Sequence, residues 1–157
     1  MTREAPGYVA GHFNLAFELR QRNDIEGAVR EYARTIELDS TVALAYSNLG
    51  ALLQSMNRLD EAERLYRRTL ELRPDYPLAW NNLAIVQYKR GEIADAVASF
   101  RRAIALKPDD AGALYNFGRV FESFGHADSA AVYFERAYRL DPANLRIKSS
   151  YDQTHPR

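Results

Sequence analysis

The sequence predicts an all-α fold, an α-α superhelix (solenoid) of antiparallel helix pairs, and three observations predict it. In the stretch Pro77–Asp110 the apolar residues fall at helical spacing in two runs. Trp80, Leu83, Ala84 and the polar Gln87 share one face of a first helix, and Ile93, Ala96, Val97, Phe100, Ala103, Ile104 and Leu106 line a second. Gly91 stands between the runs and Pro108 closes the second. The same pattern then returns without a gap at a period of 34 residues, four times in all. Stacked repeats of this length bury their apolar faces only against their neighbours, so one unit would not fold alone.

The register holds position by position. Trp80 corresponds to His12, Tyr46 and Leu114, and Leu83 to Leu15, Leu49 and Phe117. Ala84 corresponds to Ala16, Gly50 and Gly118, where a small residue lets two helices approach closely. Ala96 recurs as Ala28, Ala62 and Ala130, and Phe100 as Tyr32, Tyr66 and Phe134. Ala103 recurs as Thr35, Thr69 and Ala137, and Pro108 as Ser40, Pro74 and Pro142. The repeats therefore occupy residues 9–42, 43–76, 77–110 and 111–144.

Residues 1–8 form a lead-in, with Pro6 and Gly7 arguing against much helix before Tyr8. Each first helix ends at Asn23, Asn57, Gly91 or Gly125, the residue types that most readily take the left-handed conformation of a helix C-terminus. Asp24, Asp60 and Asp128 mark the starts of second helices, as caps and as charges at the positive helix end. Second helices stop near Leu38, Leu72, Leu106 and Leu140, and proline follows in three of the four. Residues 145–157 begin like another first helix and stop at Pro156. That short cap is expected to leave Tyr133 and Tyr138 partly bare and to permit weak homo-oligomerisation through the C-terminal end. Trp80 is expected to fill an internal slot between the second and third repeats.

This order of aromatic, Leu-small, Ala, aromatic, Ala and Pro at a 34-residue period resembles the tetratricopeptide repeat (TPR) family, from about Val9 to Asn144. WNNLA at Trp80–Ala84 and YSNLG at Tyr46–Gly50 are similar to the TPR region of O-linked N-acetylglucosamine transferase. The resemblance implies a superhelix that binds protein partners and carries no catalysis of its own.

Composition agrees with a folded interaction module. Twenty-one basic and 21 acidic residues cancel, so no overall field draws nucleic acid or a membrane surface. With no cysteine there is neither a disulfide nor a thiolate metal site. The opening residues lack the apolar core of a secretory signal and no run of 18 apolar residues occurs, so a cytoplasmic location is expected. Basic residues are almost all Arg, with Lys89, Lys107 and Lys148 the exceptions, a bias in keeping with a bacterial source. The three histidines are scattered and form no metal-binding pair, and no nucleotide-binding or nucleophile motif is present. No metal, cofactor or catalytic residue is therefore expected. The arginines of the second helices, including Arg64, Arg67, Arg101 and Arg102, read as a solvated face rather than a phosphate-binding stripe.

The binding signal lies on the first helices. Asn14, Asn48, Asn82 and Asn116 hold one equivalent place in all four repeats, beside the core stripe and facing the inner side of the superhelix. An amide offers donors and an acceptor together, so a row of asparagines suits the backbone of an extended peptide. The family resemblance implies the same role; the alternative is that each asparagine bridges adjacent repeats or helix backbones. Around that row the inward places hold Phe13, Phe17, Asn81, Tyr88, Lys89, Tyr115 and Arg119. Phe13 and Phe17 lie one helical turn apart and form either a ligand pocket or a patch covered by residues 1–7. The clamp that some family members close on a chaperone's C-terminal carboxylate is not matched: Asn48 fits its second element, but Phe13 and Phe17 replace the first, and Leu78 and Asn82 the last. The sequence therefore reads as a peptide-capturing module. The alternatives are a structural unit that self-associates or stacks through its ends, and a targeting module for a separate enzyme.

Overall fold

The computed structural model describes residues 6–155, which form helices joined by tight turns with no strand among them. In chain order these are α1 (Pro6–Gln21), α2 (Ile25–Leu38), α3 (Ala43–Ser55), α4 (Leu59–Leu72) and α5 (Pro77–Lys89). They continue with α6 (Ile93–Leu106), α7 (Ala111–Ser123), α8 (Ala127–Leu140) and α9 (Leu145–Thr154). Odd and even helices pair antiparallel, and each pair stacks on the next. Successive odd helices also touch one another, α3 with α5 and α5 with α7, more than the even ones do. The odd helices therefore line the inner face.

The turn chemistry acts as expected. Asn23, Asn57, Gly91 and Gly125 adopt φ of 63°, 60°, 81° and 74°, the left-handed conformation that reverses the chain between paired helices. Helix starts differ from expectation. Asp24 does cap α2, accepting from the Gly27 amide at 2.8 Å. Asp60 and Asp128, however, lie inside the first turns of α4 and α8, whose cap residues Arg58 and His126 make no side-chain cap bond. There the carboxylates act on the helix dipole and not as caps. Asp110 and Asn144 are side-chain caps of α7 and α9. At the other end, α1 begins at Pro6 rather than near Tyr8, because a proline in the first turn has no amide to lose and its fixed φ suits a helix.

The core follows the 34-residue register. Ala28, Ala62, Ala96 and Ala130 are fully buried at the crossing of each pair, beside Tyr32, Tyr66, Phe100 and Phe134. Gly50 and Gly118 are small because a Cβ there would meet the Tyr66 ring at 3.0 Å and the Phe134 ring at 2.7 Å. Two positions of the register are more open than expected. Leu15 is 44% exposed, since no other helix among the described residues covers that face of α1. Trp80 is only partly buried: its indole donates to the Pro74 carbonyl at 2.8 Å while one side lines a surface hollow with Leu70, Leu83 and Arg102.

The C-terminal surface is covered only in part: Tyr133 and Tyr138 are half-buried, while Val132 and Leu140 stay 55% and 47% exposed. Ile147 of α9 is buried against Leu114 and Ala137, Tyr138 stacks on Tyr151 at 4.4 Å, and Tyr133 stacks on Phe121 at 5.5 Å. The ten-residue helix continues the register: Ile147 and Tyr151 stand one turn apart on the face turned to α8.

Candidate functional site

The surroundings of Asn48, Asn82 and Asn116 follow the aromatic residue on the preceding even helix. Asn48 donates through Nδ2 to the Tyr32 hydroxyl at 3.2 Å. Asn82 likewise hydrogen-bonds Tyr66, whose hydroxyl also donates to Gln54 Oε1 at 2.9 Å. Burial pushes both phenols above their ordinary pKa, so they remain neutral donors and acceptors throughout the physiological range. In both places the amide ties one helix pair to the next. Each retains a carbonyl oxygen or a second N–H for other partners.

The junction between the third and fourth pairs is built differently. Phe100 stands where Tyr32 and Tyr66 stand, and offers no hydroxyl. Asn116 turns instead to Asn81, donating to its Oδ1 at 3.2 Å, and Asn81 donates to Asn82 Oδ1 at 3.3 Å. Three asparagines are thus linked across α5 and α7. Helices α6 and α7 also pack more sparsely than α2 with α3 or α4 with α5.

A groove of about 550 Å³ opens at this junction on the inner face. Its floor is apolar: Phe100 and Val120 at the bottom, both nearly inaccessible, with Ile85, Tyr88 and Tyr115 half-buried around them. Its rim carries Lys89 from α5, Arg119 from α7 and Arg146 from α9, with no carboxylate among the lining residues. Arg119 is held in place by Glu122 at 2.9 Å and by the Tyr115 hydroxyl at 3.4 Å. A second hollow continues from it between α7 and α9, past Ser149, Ser150 and Gln153.

Of the residues expected from sequence, Tyr88, Lys89, Tyr115, Asn116 and Arg119 converge on this one groove, and Asn81 joins it through Asn116. Asn48 and Asn82 lie further along the same face in scaffold bonds. Asn14, on α1, is exposed. Phe13 is half-buried edge-on against Tyr32 at 5.5 Å, so it packs on the core rather than opening a pocket. Phe17 is 44% exposed with the Arg20 guanidinium 5.1 Å from its ring centre, and any cover from residues 1–5 lies outside the described residues. Arg146 was not foreseen. One more step of the 34-residue period from Gly112 lands on it, so reading α9 as a fifth inner helix would have placed it.

Three tetratricopeptide repeat profiles match overlapping parts of the chain, over residues 18–57, 41–109 and 83–144. The chain is a member of the TPR family. Solved structures agree at the level of the fold. The TPR chain resembles the crystal structure of MamA at 22% identity and a TM-score of 0.80, covering 94% of this chain and 80% of that one. A MamA fragment from Desulfovibrio magneticus RS-1 superposes at a TM-score of 0.78 with 18% identity, over 93% of this chain and 88% of that one. YrrB, described as a TPR protein with an unusual peptide-binding site, shares 25% identity at a TM-score of 0.73, over 92% of this chain and 74% of that one. No curated protein sequence matches. Among the described residues no helix is long and apolar enough to cross a membrane, and no group of histidine and acidic side chains is placed to hold a metal ion.

Proposed function

We propose that this TPR protein captures an extended peptide segment of a partner protein on its inner face, with no chemistry of its own, and that the groove between α5, α7 and α9 is the centre of the contact. The observation that carries the reading is the convergence of Tyr88, Lys89, Tyr115, Asn116 and Arg119 on one open, apolar-floored groove. A TPR superhelix presents its inner helices to ligands as a continuous concave surface. Aromatic side chains there contribute contact area at small conformational cost. The structural likeness to YrrB, itself a peptide-binding TPR protein, supports the same use of the fold.

The asparagine row then divides its work. Asn116 and Asn81 sit at the groove and present amides to a peptide backbone, whereas Asn48 and Asn82 hold the scaffold first and offer only their remaining hydrogen-bonding capacity to a ligand. Selection of peptides from a random display library against the purified protein tests the reading. Selected peptides are expected to lose binding to Tyr88→Ala and Asn116→Ala and to retain it with Arg101→Ala on the outer helix α6. Peptides that bind all three variants equally would place the contact elsewhere and overturn the proposal.

A further inference from the structure

The inner-face groove combines two features that recognise different parts of one ligand. Its floor of Ile85, Tyr88, Phe100, Tyr115 and Val120 is apolar, and its rim carries three cations. This is a local departure from a chain whose charges cancel overall. Elsewhere about half of the described arginines pair with a carboxylate, as in Arg58–Glu61, Arg68–Glu71 and Arg139–Glu135, and others, such as Arg101, lie away from this groove. At the rim only Arg119 has such a partner, Glu122. Lys89 and Arg146 have no carboxylate within ion-pairing distance among the described residues. They stand on α5 and α9, on opposite sides of the helix that carries Arg119. A cationic ring around an apolar floor attracts anionic ligands and repels basic ones.

Resting on the peptide-groove reading above, we propose that the preferred partner segment is an extended internal stretch with one bulky apolar residue flanked by acidic side chains. In an extended strand residues two apart face the same way, about 7 Å along the chain. An apolar side chain seated on the floor therefore points carboxylates at its second neighbours toward the rim. A groove of about 550 Å³ holds one aromatic side chain together with its backbone. The segment is internal to its chain because the surface is open on both sides, toward Asn82 and Asn48 in one direction and toward the α7–α9 hollow in the other.

The test uses the full chain and fluorescence anisotropy with labelled, end-capped peptides on a Ser/Gly backbone. One carries Phe with Asp at both second neighbours, one Phe alone, one Phe with Lys in place of Asp, and one Phe-Asp peptide ends in a free carboxylate. The Asp peptide is expected to bind best and to weaken about two- to fivefold for each of Lys89→Ala and Arg146→Ala, the range of an exposed ion pair. In the double variant Lys89→Glu/Arg146→Glu the order of the Asp and Lys peptides is expected to reverse, a result that misfolding cannot produce. Both positions are exposed, and circular dichroism checks that the fold is kept.

Equal binding of the Asp and Phe-only peptides, both lost in Tyr88→Ala, would leave the peptide groove standing and overturn the acidic preference. Asp-peptide binding that ignores both Tyr88→Ala and the charge reversal would overturn the site itself. A strong preference for the free-carboxylate peptide would replace an internal segment by a chain end. Failure of every designed peptide, while library-selected peptides still bind through Tyr88, would refute this specificity alone.

Discussion

Tyr66→Phe separates the scaffold role of the inner face from its binding role. The Tyr66 hydroxyl is fully buried and joins two helices, donating to Gln54 on α3 and accepting from Asn82 on α5. Removing one oxygen deletes both bonds and leaves two amides to find other partners. Each bond contributes about 0.5–1.5 kcal/mol net, so the variant should lose roughly 1–3 kcal/mol. For a chain of this size about 1 kcal/mol moves the melting temperature by roughly 2–4 °C. Chemical denaturation followed by circular dichroism reads the loss. A double-mutant cycle with Asn82→Ala assigns the share belonging to the Asn82–Tyr66 pair. Coupling indistinguishable from zero, with Tyr66→Phe as stable as the parent, would refute the claim that this asparagine ties successive helix pairs. The reciprocal change, Phe100→Tyr, puts a hydroxyl under Asn116 and should draw Asn116 from Asn81. Stability should rise by up to about 1 kcal/mol while peptide affinity falls, because the new hydroxyl makes the groove floor polar.

Other outcomes follow from the same contacts. Burial holds the folded pKa of Tyr32 and Tyr66 above the unfolded value of 10.0, so their contribution is intact below that pH and is lost as pH rises through the folded values. Alkaline titration of stability should therefore steepen above about pH 10 and be shallower in Tyr66→Phe. Glu63 is buried against Arg67 at 2.7 Å and Arg90 at 3.1 Å, yet its Oε1 lacks an aligned hydrogen bond, and burial raises its carboxyl above the ordinary value of 4.5. Its contribution is complete below that value and is lost as pH rises through the raised one, so the difference in stability between the parent and Glu63→Gln should shift across that window in favour of the variant. Arg90→Met removes a side chain that joins Glu63, Asp60 and Glu92 and should cost about 1–3 kcal/mol by stranding the buried carboxylate, measured by urea denaturation. Trp80→Ala should cost less than Phe117→Ala, because Phe117 is 1% exposed and packs among Phe100, Phe121 and Tyr133, whereas Trp80 is only partly buried.

How much was legible in advance depended on whether a residue's task repeats. The helix pairing, the turn residues Asn23, Asn57, Gly91 and Gly125, and the buried Ala28 to Ala130 series follow from the period, since every unit solves the same packing problem. Where the period breaks, the prediction weakens. Leu15 occupies a core position in the register but lies at an end, so the register says core and the solvent says otherwise. Trp80 sits in the slot held by buried Leu114 one unit later, but its greater size carries it out between Leu70 and Arg102. The asparagine row falls at one position on each of α1, α3, α5 and α7. That an asparagine bridges adjacent repeats is one of its two sequence readings, but its partners Tyr32 and Tyr66 depend on how far the next helix pair rotates, which no single repeat encodes.

The break in the period also explains why the groove lies where it does. A tyrosine at the even-helix position gives the next asparagine a hydroxyl and so closes the junction on the inner face, as at Tyr32–Asn48 and Tyr66–Asn82. A phenylalanine at that position removes the tie, and the third junction, with Phe100, is the one whose helices pack most sparsely and whose inner face opens into the groove. Phe134 repeats the change one step later, where the amide position is taken by Ser150, a side chain too short to reach across, and the hollow there is continuous with the groove. Loss of two hydroxyls thus turns one end of a uniform stack into a receptive surface, while the tied junctions before it keep the superhelix in shape. If that account is right, peptide affinity should track the residues at positions 100 and 134 rather than the number of asparagines. A chain with Tyr at both should match or exceed the parent in stability, yet bind selected peptides at least tenfold more weakly, a loss of about 1.4 kcal/mol. Undiminished binding by that double variant, with its fold intact, would show that the hydroxyls do not govern the opening.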